Sequence, residues 1–287
     1  MLSLFRWLAR RPLWFLHALG AALGWLTYWA SPTYRRRFAE NARQARFTPA
    51  QAQPAIAAAG RMVAELPFLW MRPAGEPIRP TVMWDGADLV AAAHAQGRGV
   101  LFLTPHMGSF EVTAQAYAER FAATLAPVTV LFRPARKAIL RRLTDGSRAR
   151  PGLATAPATL AGVRQMIRAL RRGEAVGLLP DQVPPEGMGV WVPFFGRPAY
   201  TMTLAARLIQ QTGAVPLLIW GERLAHGAGY RVRVSALGED LPATDPTQAE
   251  SAAVINRAME RLIRQCPGQY LWGYNRYKTP RAADPSA

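Results

Sequence analysis

The feature that most constrains the fold is a recurring pairing of short, unbroken apolar runs with longer helical ones. Gly99-Val-Leu-Phe-Leu-Thr104 is apolar between a Gly and the Thr-Pro that follows, and 128–132, 175–179, 214–220 and 230–235 have the same character. Strands that do not alternate polar with apolar residues are covered on both faces, as in a mostly parallel sheet clad by helices. Segments 88–96, 110–122, 136–143, 160–171, 201–212 and 247–265 read as the intervening helices. The expected fold is therefore α/β, a mostly parallel central sheet flanked by helices. In such sheets ligands gather beyond the C-terminal ends of the strands.

The N-terminus is of another kind. Leu13–Ala30 holds no charged side chain except at His17, and no acidic residue precedes Glu40. Arg6, Arg10 and Arg11 lie before the run and Arg35, Arg36 and Arg37 after it, while Trp7, Trp14, Trp25 and Trp29 cluster around its ends. As a helix it would be ~27 Å long, at the lower limit for crossing a bilayer core. Tryptophan and arginine at the ends of an apolar run are interface anchors. The expected organisation is an N-terminal membrane anchor over 1–32, a catalytic body over 33–280 and a flexible tail over 281–287. A cleaved signal peptide fits poorly with Tyr34-Arg35-Arg36-Arg37, and a buried core helix is the plainer alternative. The heavier basic side, with Arg43 and Arg46 added, places the body on the cytoplasmic face, whether the helix spans or lies in the interface. Gly20 and Gly24 form a GxxxG pair, on its own a weak sign of helix association. Downstream, 35–47 and 50–71 read as helices, with Pro67 kinking or ending the second.

With 35 Lys and Arg against 18 Asp and Glu, the net charge is +17, which calls for an anionic partner: nucleic acid, an acidic membrane surface or a phosphorylated lipid. A basic nucleic-acid-binding protein would leave the uncharged N-terminal run unexplained, and no nucleic-acid motif is present. A lone cysteine, Cys266, makes no internal disulfide, and no Cys/His cluster has zinc-ligand spacing, so neither a metal nor another cofactor is expected.

The chemistry concentrates after the first long strand. Leu101-Phe-Leu-Thr-Pro-His106-Met-Gly-Ser-Phe-Glu111 places a histidine just past a strand end in a turn leading into a helix. A carboxylate one helical turn on can point back to fix the imidazole tautomer, which is what a general base needs. Ser109 lacks the surroundings of a nucleophile elbow and reads as a helix N-cap.

His106-Met-Gly-Ser-Phe-Glu111 resembles the HxxxxE/D motif of the late acyltransferases of lipid A biosynthesis, the lauroyl/myristoyl transferase family. Val130-Leu-Phe-Arg133-Pro is similar to that family's strand-end arginine block. Gly177-Leu-Leu-Pro-Asp181-Gln182, with Gly189-Val-Trp-Val-Pro-Phe-Phe-Gly196 and Thr201, resembles its DQ…FFG…T block, and Pro267 to Lys278 its C-terminal block. The sequence departs from the pattern at Ser109-Phe110, at Leu179-Pro180 and at Tyr274-Asn275-Arg276. The resemblance implies a membrane-bound transferase in which His106, paired with Glu111, is the general base and no acyl-enzyme forms. Arg133, Asp181 and Gln182 are then substrate-binding residues. Backbone N–H groups of the 107–110 turn, or Arg133, would stabilise the oxyanion, and Arg136, Lys137, Arg141 and Arg142 would face acidic groups. The tract from Gly187 to Phe195 would wall an acyl channel or simply pack in the core. The resemblance further implies acyl carrier protein as donor, a phosphorylated glycolipid as acceptor and the bacterial inner membrane as location. Acyl transfer to a lysophospholipid or ornithine lipid is the alternative within enzymes, and a membrane scaffold or basic binding protein the alternative outside them.

Overall fold

The structure is a computed structural model, in which residues 2–132 and 150–282 are described. Arg133 and the expected basic helix with Arg136, Lys137, Arg141 and Arg142 lie outside the described residues, as do positions 283–287 of the expected tail.

A seven-stranded mixed sheet forms the centre. Its strands are β1 (Met83–Asp85), β2 (Val100–Leu103), β3 (Val128–Phe132), β4 (Leu153–Pro157), β5 (Ala175–Leu178), β8 (Val215–Arg223) and β9 (Tyr230–Ala236). They are ordered β1-β9-β8-β2-β5-β3-β4. Neighbours pair in parallel except β8 with β9, so the α/β expectation holds. All four residues of β2 are buried, as its unbroken apolar run requires. Helices α7 (Ala87–His94), α8 (Phe110–Phe121), α9 (Leu160–Arg171), α10 (Leu204–Thr212) and α11 (Ala249–Gln265) connect or cover the strands, leaving apolar clusters on both faces.

Four strands were not expected. β1 is three residues long, too short to show a pattern. β4 is an edge strand ending in Pro157, where a missing N–H costs no ladder bond. β6 (Gly189–Phe194) and β7 (Arg197–Met202) form a separate antiparallel hairpin across Phe195-Gly196, both at positive φ. The helix expected from 201 begins only at Leu204, because Thr201 and Met202 complete β7.

The N-terminal 70 residues form six helices: α1 (Leu2–Ala9), α2 (Leu13–Ala30), α3 (Pro32–Gln44), α4 (Pro49–Ala52), α5 (Pro54–Ala64) and α6 (Leu66–Trp70). The single helix expected over 50–71 is divided into three, with Pro54 and Pro67 near the starts of new segments. α2 does not stand apart from the body. It buries Leu13, Leu16, His17, Gly20 and Gly24, and lies along α5. Among the described residues no helix is long and apolar enough to cross a membrane, so the spanning form of the anchor is not met.

The contact between α2 and α5 is backbone against backbone. A Cβ on Gly20 would come within 2.6 Å of Arg61 Cα, and one on Gly60 would stand 2.6 Å from Gly24 N and overlap the Gly20 carbonyl. The GxxxG pair thus does pack a helix, from inside the same chain. Gly60→Ala sets two effects against each other: helix propensity gains ~1 kcal/mol, while overpacking costs ~1–3 kcal/mol. Since the obstructing atoms are backbone and cannot swing away, the variant is expected to lose stability, read as a lower Tm and faster proteolysis within α2. A Tm equal to or above that of the wild type would disprove the close approach.

Candidate active site

The site is assembled by the register of two parallel strands. Leu103 at the end of β2 pairs with Leu178 at the end of β5, and Thr104 N–H donates to Leu178 O at 3.1 Å. His106 and Asp181 each lie three residues beyond those partners, so they emerge side by side above the sheet. Asp181 Oδ2 accepts the His106 backbone N–H at 2.9 Å, and Oδ1 lies 2.7 Å from His106 Nδ1. Its side chain is 2% exposed and that of His106 18%.

Burial alone would push the Asp181 carboxyl up. The charge and two hydrogen bonds of His106, with the Arg276 guanidinium nearby, outweigh burial and hold it below the usual carboxylate range. Asp181 is therefore ionised and accepts only, so Nδ1 is the protonated nitrogen of the neutral ring. Nε2 then carries the lone pair. A buried carboxylate fixing the tautomer of a more exposed imidazole is the arrangement of a general base and its orienting partner.

The sequence pairs His106 with Glu111; in the structure the Nδ1 contact is with Asp181. Nδ1 faces the turn after β5, whereas Glu111 sits in the first turn of α8 and its Oε2 accepts the Trp70 indole N–H at 3.1 Å. The Phe110 ring packs against the imidazole in a T-shaped contact, 5.0 Å between centroids. Asp181, foreseen as a substrate-binding residue, here holds the His106 ring and backbone. A readable signal existed: an acidic residue three past the end of a buried strand, at the same offset as His106. Gln182 follows in the same turn, half-buried.

The turn after His106 is tightly held. Met107 N–H donates to Pro105 O, Gly108 N–H to Gln269 O at 2.9 Å and Ser109 N–H to Gly221 O at 2.8 Å. Three of the four N–H groups foreseen as oxyanion donors are therefore already engaged. Gly108 has φ +57°, and a Cβ there would overlap the Gly221 carbonyl, so only glycine fits. Ser109 stands at the N-cap position of α8 but makes no capping bond; its side chain is buried beside Glu65 instead.

The C-terminal segment closes the site from behind. Leu271 N–H donates to His106 O at 3.1 Å. Tyr270 is buried, and burial with the neighbouring Asp181 charge keeps its phenol neutral. Arg276 donates from Nη1 to Tyr200 O at 2.8 Å and from Nη2 to Thr201 Oγ1 at 2.7 Å. Sequence reasoning named this block without seeing that it supplies the buried cation beside Asp181. Of the aromatic tract foreseen as an acyl wall, Phe194 and Phe195 are core residues packed against each other at 4.9 Å, while Trp191 is half exposed against Tyr200. Among the described residues no group of three or more His, Cys, Asp or Glu is placed to hold a metal ion.

Beneath the turn Glu65 is ionised in the dry interior. Burial would raise its pKa, but the charge and hydrogen bonds of Arg223, with the hydrogen bond to His17 and the Ser109 hydroxyl nearby, lower it to about 2. A carboxyl whose folded value lies below its ordinary one, about 4.3, stabilises the fold fully above that value and progressively less as pH falls toward the folded one. Asp181 shifts the same way. The Tm is therefore expected to hold near neutrality and drop steeply below pH ~4.5; a Tm unchanged down to pH ~3 would mean that neither carboxylate is held as described.

Comparison with known proteins bears on the same residues. The model of the family described as bacterial lipid A biosynthesis acyltransferase matches residues 49–279. The lipid A biosynthesis palmitoleoyltransferase of Escherichia coli (strain K12) is 28% identical over 221 residues, covering 77% of this chain and 69% of that protein. The lauroyltransferase of the same organism is 27% identical over 214 residues, 73% of this chain and 67% of that protein, and its myristoyltransferase is 25% identical over 211 residues, 73% and 62% respectively. A match running from α4 through the turn after His106, the turn of Asp181 and the C-terminal block around Arg276 establishes that the chain belongs to the bacterial lipid A biosynthesis acyltransferase family.

Proposed function

We propose that this acyltransferase moves a fatty acyl chain from an acyl-carrier-protein thioester to a hydroxyl on a 3-hydroxyacyl chain of a phosphorylated glucosamine disaccharide lipid. The observation that carries the proposal is the His106 ring, its Nδ1–H directed to the ionised Asp181 and its Nε2 left as the basic nitrogen. Nε2 takes the acceptor's O–H proton as that oxygen attacks the thioester carbonyl. The C–O bond forms, the C–S bond breaks, and the imidazolium returns its proton to the departing thiolate. Asp181 stays ionised throughout and stabilises the imidazolium. No covalent acyl-enzyme enters the scheme. Glu111 takes part by aligning the acceptor at the start of α8 rather than by gripping the imidazole, while Arg133 and Gln182 serve the phosphate and sugar of the acceptor.

The proposal includes a membrane surface. On α2 the face opposite the buried one carries Trp14, Leu19, Leu23, Leu26 and Trp29, all exposed, with Leu4 and Trp7 of α1 beyond it. Arginines at both ends complete the pattern of a helix lying in the interface of an anionic bilayer. The reading this supports is a protein held on the cytoplasmic side of a bacterial inner membrane, with α2 lying in the interface.

Mass spectrometry of lipid products tests the chemistry. Membranes containing the protein, offered tetra- and penta-acylated lipid A precursors, a lysophospholipid and mixed acyl-carrier thioesters, are expected to add one acyl mass to a lipid A precursor. That product is expected to vanish in His106→Ala and to fall ~10²–10⁴-fold in Asp181→Asn, the range that loss of base catalysis spans. Acylation of the lysophospholipid alone would move the acceptor elsewhere, and no product at all would return the chain to a scaffold role. Leu23→Glu with Leu26→Glu is expected to abolish co-sedimentation with anionic vesicles at an unchanged Tm; undiminished sedimentation would rule out this face.

A further inference from the structure

Behind the catalytic turn lies a buried ionic cluster that the reaction itself does not use. Arg223, at the end of β8, donates from Nε to Glu65 Oε2 at 2.8 Å and from Nη2 to Glu65 Oε1 at 2.6 Å. The same Nη2 donates to the Gly108 carbonyl at 3.0 Å. The Tyr230 hydroxyl donates to Glu65 Oε2 at 3.2 Å, and His17 Nε2 lies 3.1 Å from that oxygen. Both charged side chains are almost wholly buried, at 3% and 1% exposure.

Stability does not account for such a cluster. A buried ion pair is often no better than well-packed apolar residues of the same volume, because desolvation offsets the attraction. Here the balance is poorer still, since Arg223 Nη1 is buried with no hydrogen-bond partner. The cluster's effect is geometric. Gly108, two residues after His106, is gripped at both ends: its N–H by the Gln269 carbonyl and its carbonyl by Arg223. Gln269 in turn brackets the Arg223 main chain, accepting its N–H at 3.0 Å through Oε1 and donating to its carbonyl at 3.0 Å through Nε2. Left-handed backbone at Gly108 turns the chain from the histidine into α8, so fixing that peptide fixes the direction in which His106 leaves β2. A planar, bidentate guanidinium can engage the carboxylate and reach the carbonyl together, which a lysine ammonium, a point charge on a flexible stem, cannot reproduce.

We infer that Arg223, oriented by Glu65, is a positioning residue for the transfer: it holds the Gly108 peptide so that the His106 imidazole meets Asp181 in register. The inference rests on the proposed reaction for its kinetic readout and on the observed His106–Asp181 bond for its spectroscopic one. The test compares Arg223→Lys with Tyr230→Phe, in the full-length protein. Both loosen the Glu65 cluster, but only the first removes a bond to the Gly108 peptide. Arg223→Lys is expected to lower kcat at least tenfold per folded enzyme with KM for donor and acceptor unchanged. It is also expected to lose the downfield proton resonance of the His106 Nδ1–H, assigned by its absence in His106→Ala. Tyr230→Phe is expected to lower the Tm while keeping kcat within twofold and the resonance in place. Should Arg223→Lys fail to fold, Glu65→Asp, which keeps the charge balance but withdraws the carboxylate by one methylene, carries the same expectation. Equal effects of the Arg223 and Tyr230 variants on kcat, or an unshifted resonance in Arg223→Lys or its substitute, would overturn the inference. If the wild-type protein transfers no acyl group to any acceptor, the proposed reaction falls, and the resonance alone decides the role of Arg223.

Discussion

Everything at the site depends on the register of β2 against β5. Two parallel strands end level, at Leu103 and Leu178, and chain direction alone then carries a histidine and an aspartate to the same height. A slip of one residue in either strand would turn that strand's side chains toward the other face and would part the imidazole from its carboxylate. The register is secured by what makes the strands legible, their burial on both faces: Val100, Leu101, Leu103, Ala175, Val176 and Leu178 are wholly inaccessible to solvent. Hydrophobic packing thus sets the position of the imidazole without contributing an atom to its hydrogen bonds.

Charge in this protein acts at two distances. Most of its excess of arginine over acid is spread over the surface, where isolated charges are screened within ~8–10 Å and single ion pairs add little. Two acids buried among the described residues, Glu65 and Asp181, are of another order, because each is kept ionised in a poorly polarisable interior by its own partners: Arg223 for the first, and the His106 N–H donors with the Arg276 guanidinium for the second. Together they enclose the catalytic turn, one carboxylate acting on the imidazole from the β5 side and the other, through Arg223, on the peptide that follows it. General-base catalysis needs its proton acceptor fixed before substrate arrives, since reorganisation during reaction adds to the barrier. Carboxylates locked in this way meet that need.

The sheet, its buried strands and the place of His106 at a strand end were legible because they depend on local patterns: an unbroken apolar run, a histidine just beyond one, a helix start after it. The partner of the base was not, for a physical reason. His106 and Glu111 are five positions apart and invite a local pairing, whereas His106 and Asp181 are brought together only by the lateral order of strands, which periodicity does not encode. The same limit hid the Arg223–Glu65 pair, split between the end of β8 and the short link from α5 to α6, and the buried role of Arg276. The hairpin of β6 and β7 escaped for a different reason. Its prolines and aromatics blur the alternation, and Thr201 and Met202 run straight on toward a helix whose pattern is the stronger one.

The N-terminal run shows how one composition supports two structures until packing decides between them. Eighteen residues without a strong charge reach the lower limit of a bilayer span, yet Gly20 and Gly24 leave the C-terminal half of the buried face of α2 open to close backbone approach. A glycine face meets lipid poorly, since it exposes backbone to the hydrocarbon, but it meets another helix well when that helix also presents glycine. Gly60 on α5 is that partner. His17 argues the same way. An imidazole at mid-membrane depth would need a polar partner in an apolar solvent, and in the fold it has one in Glu65. What remains after these contacts is a single apolar face carrying two tryptophans, broad enough to rest on a membrane and one-sided in a way that a crossing helix is not. The buried face also gives the helix a direct line to the turn after His106, from His17 through Glu65 and Arg223 to Gly108, so α2 is built into the scaffold that holds the imidazole.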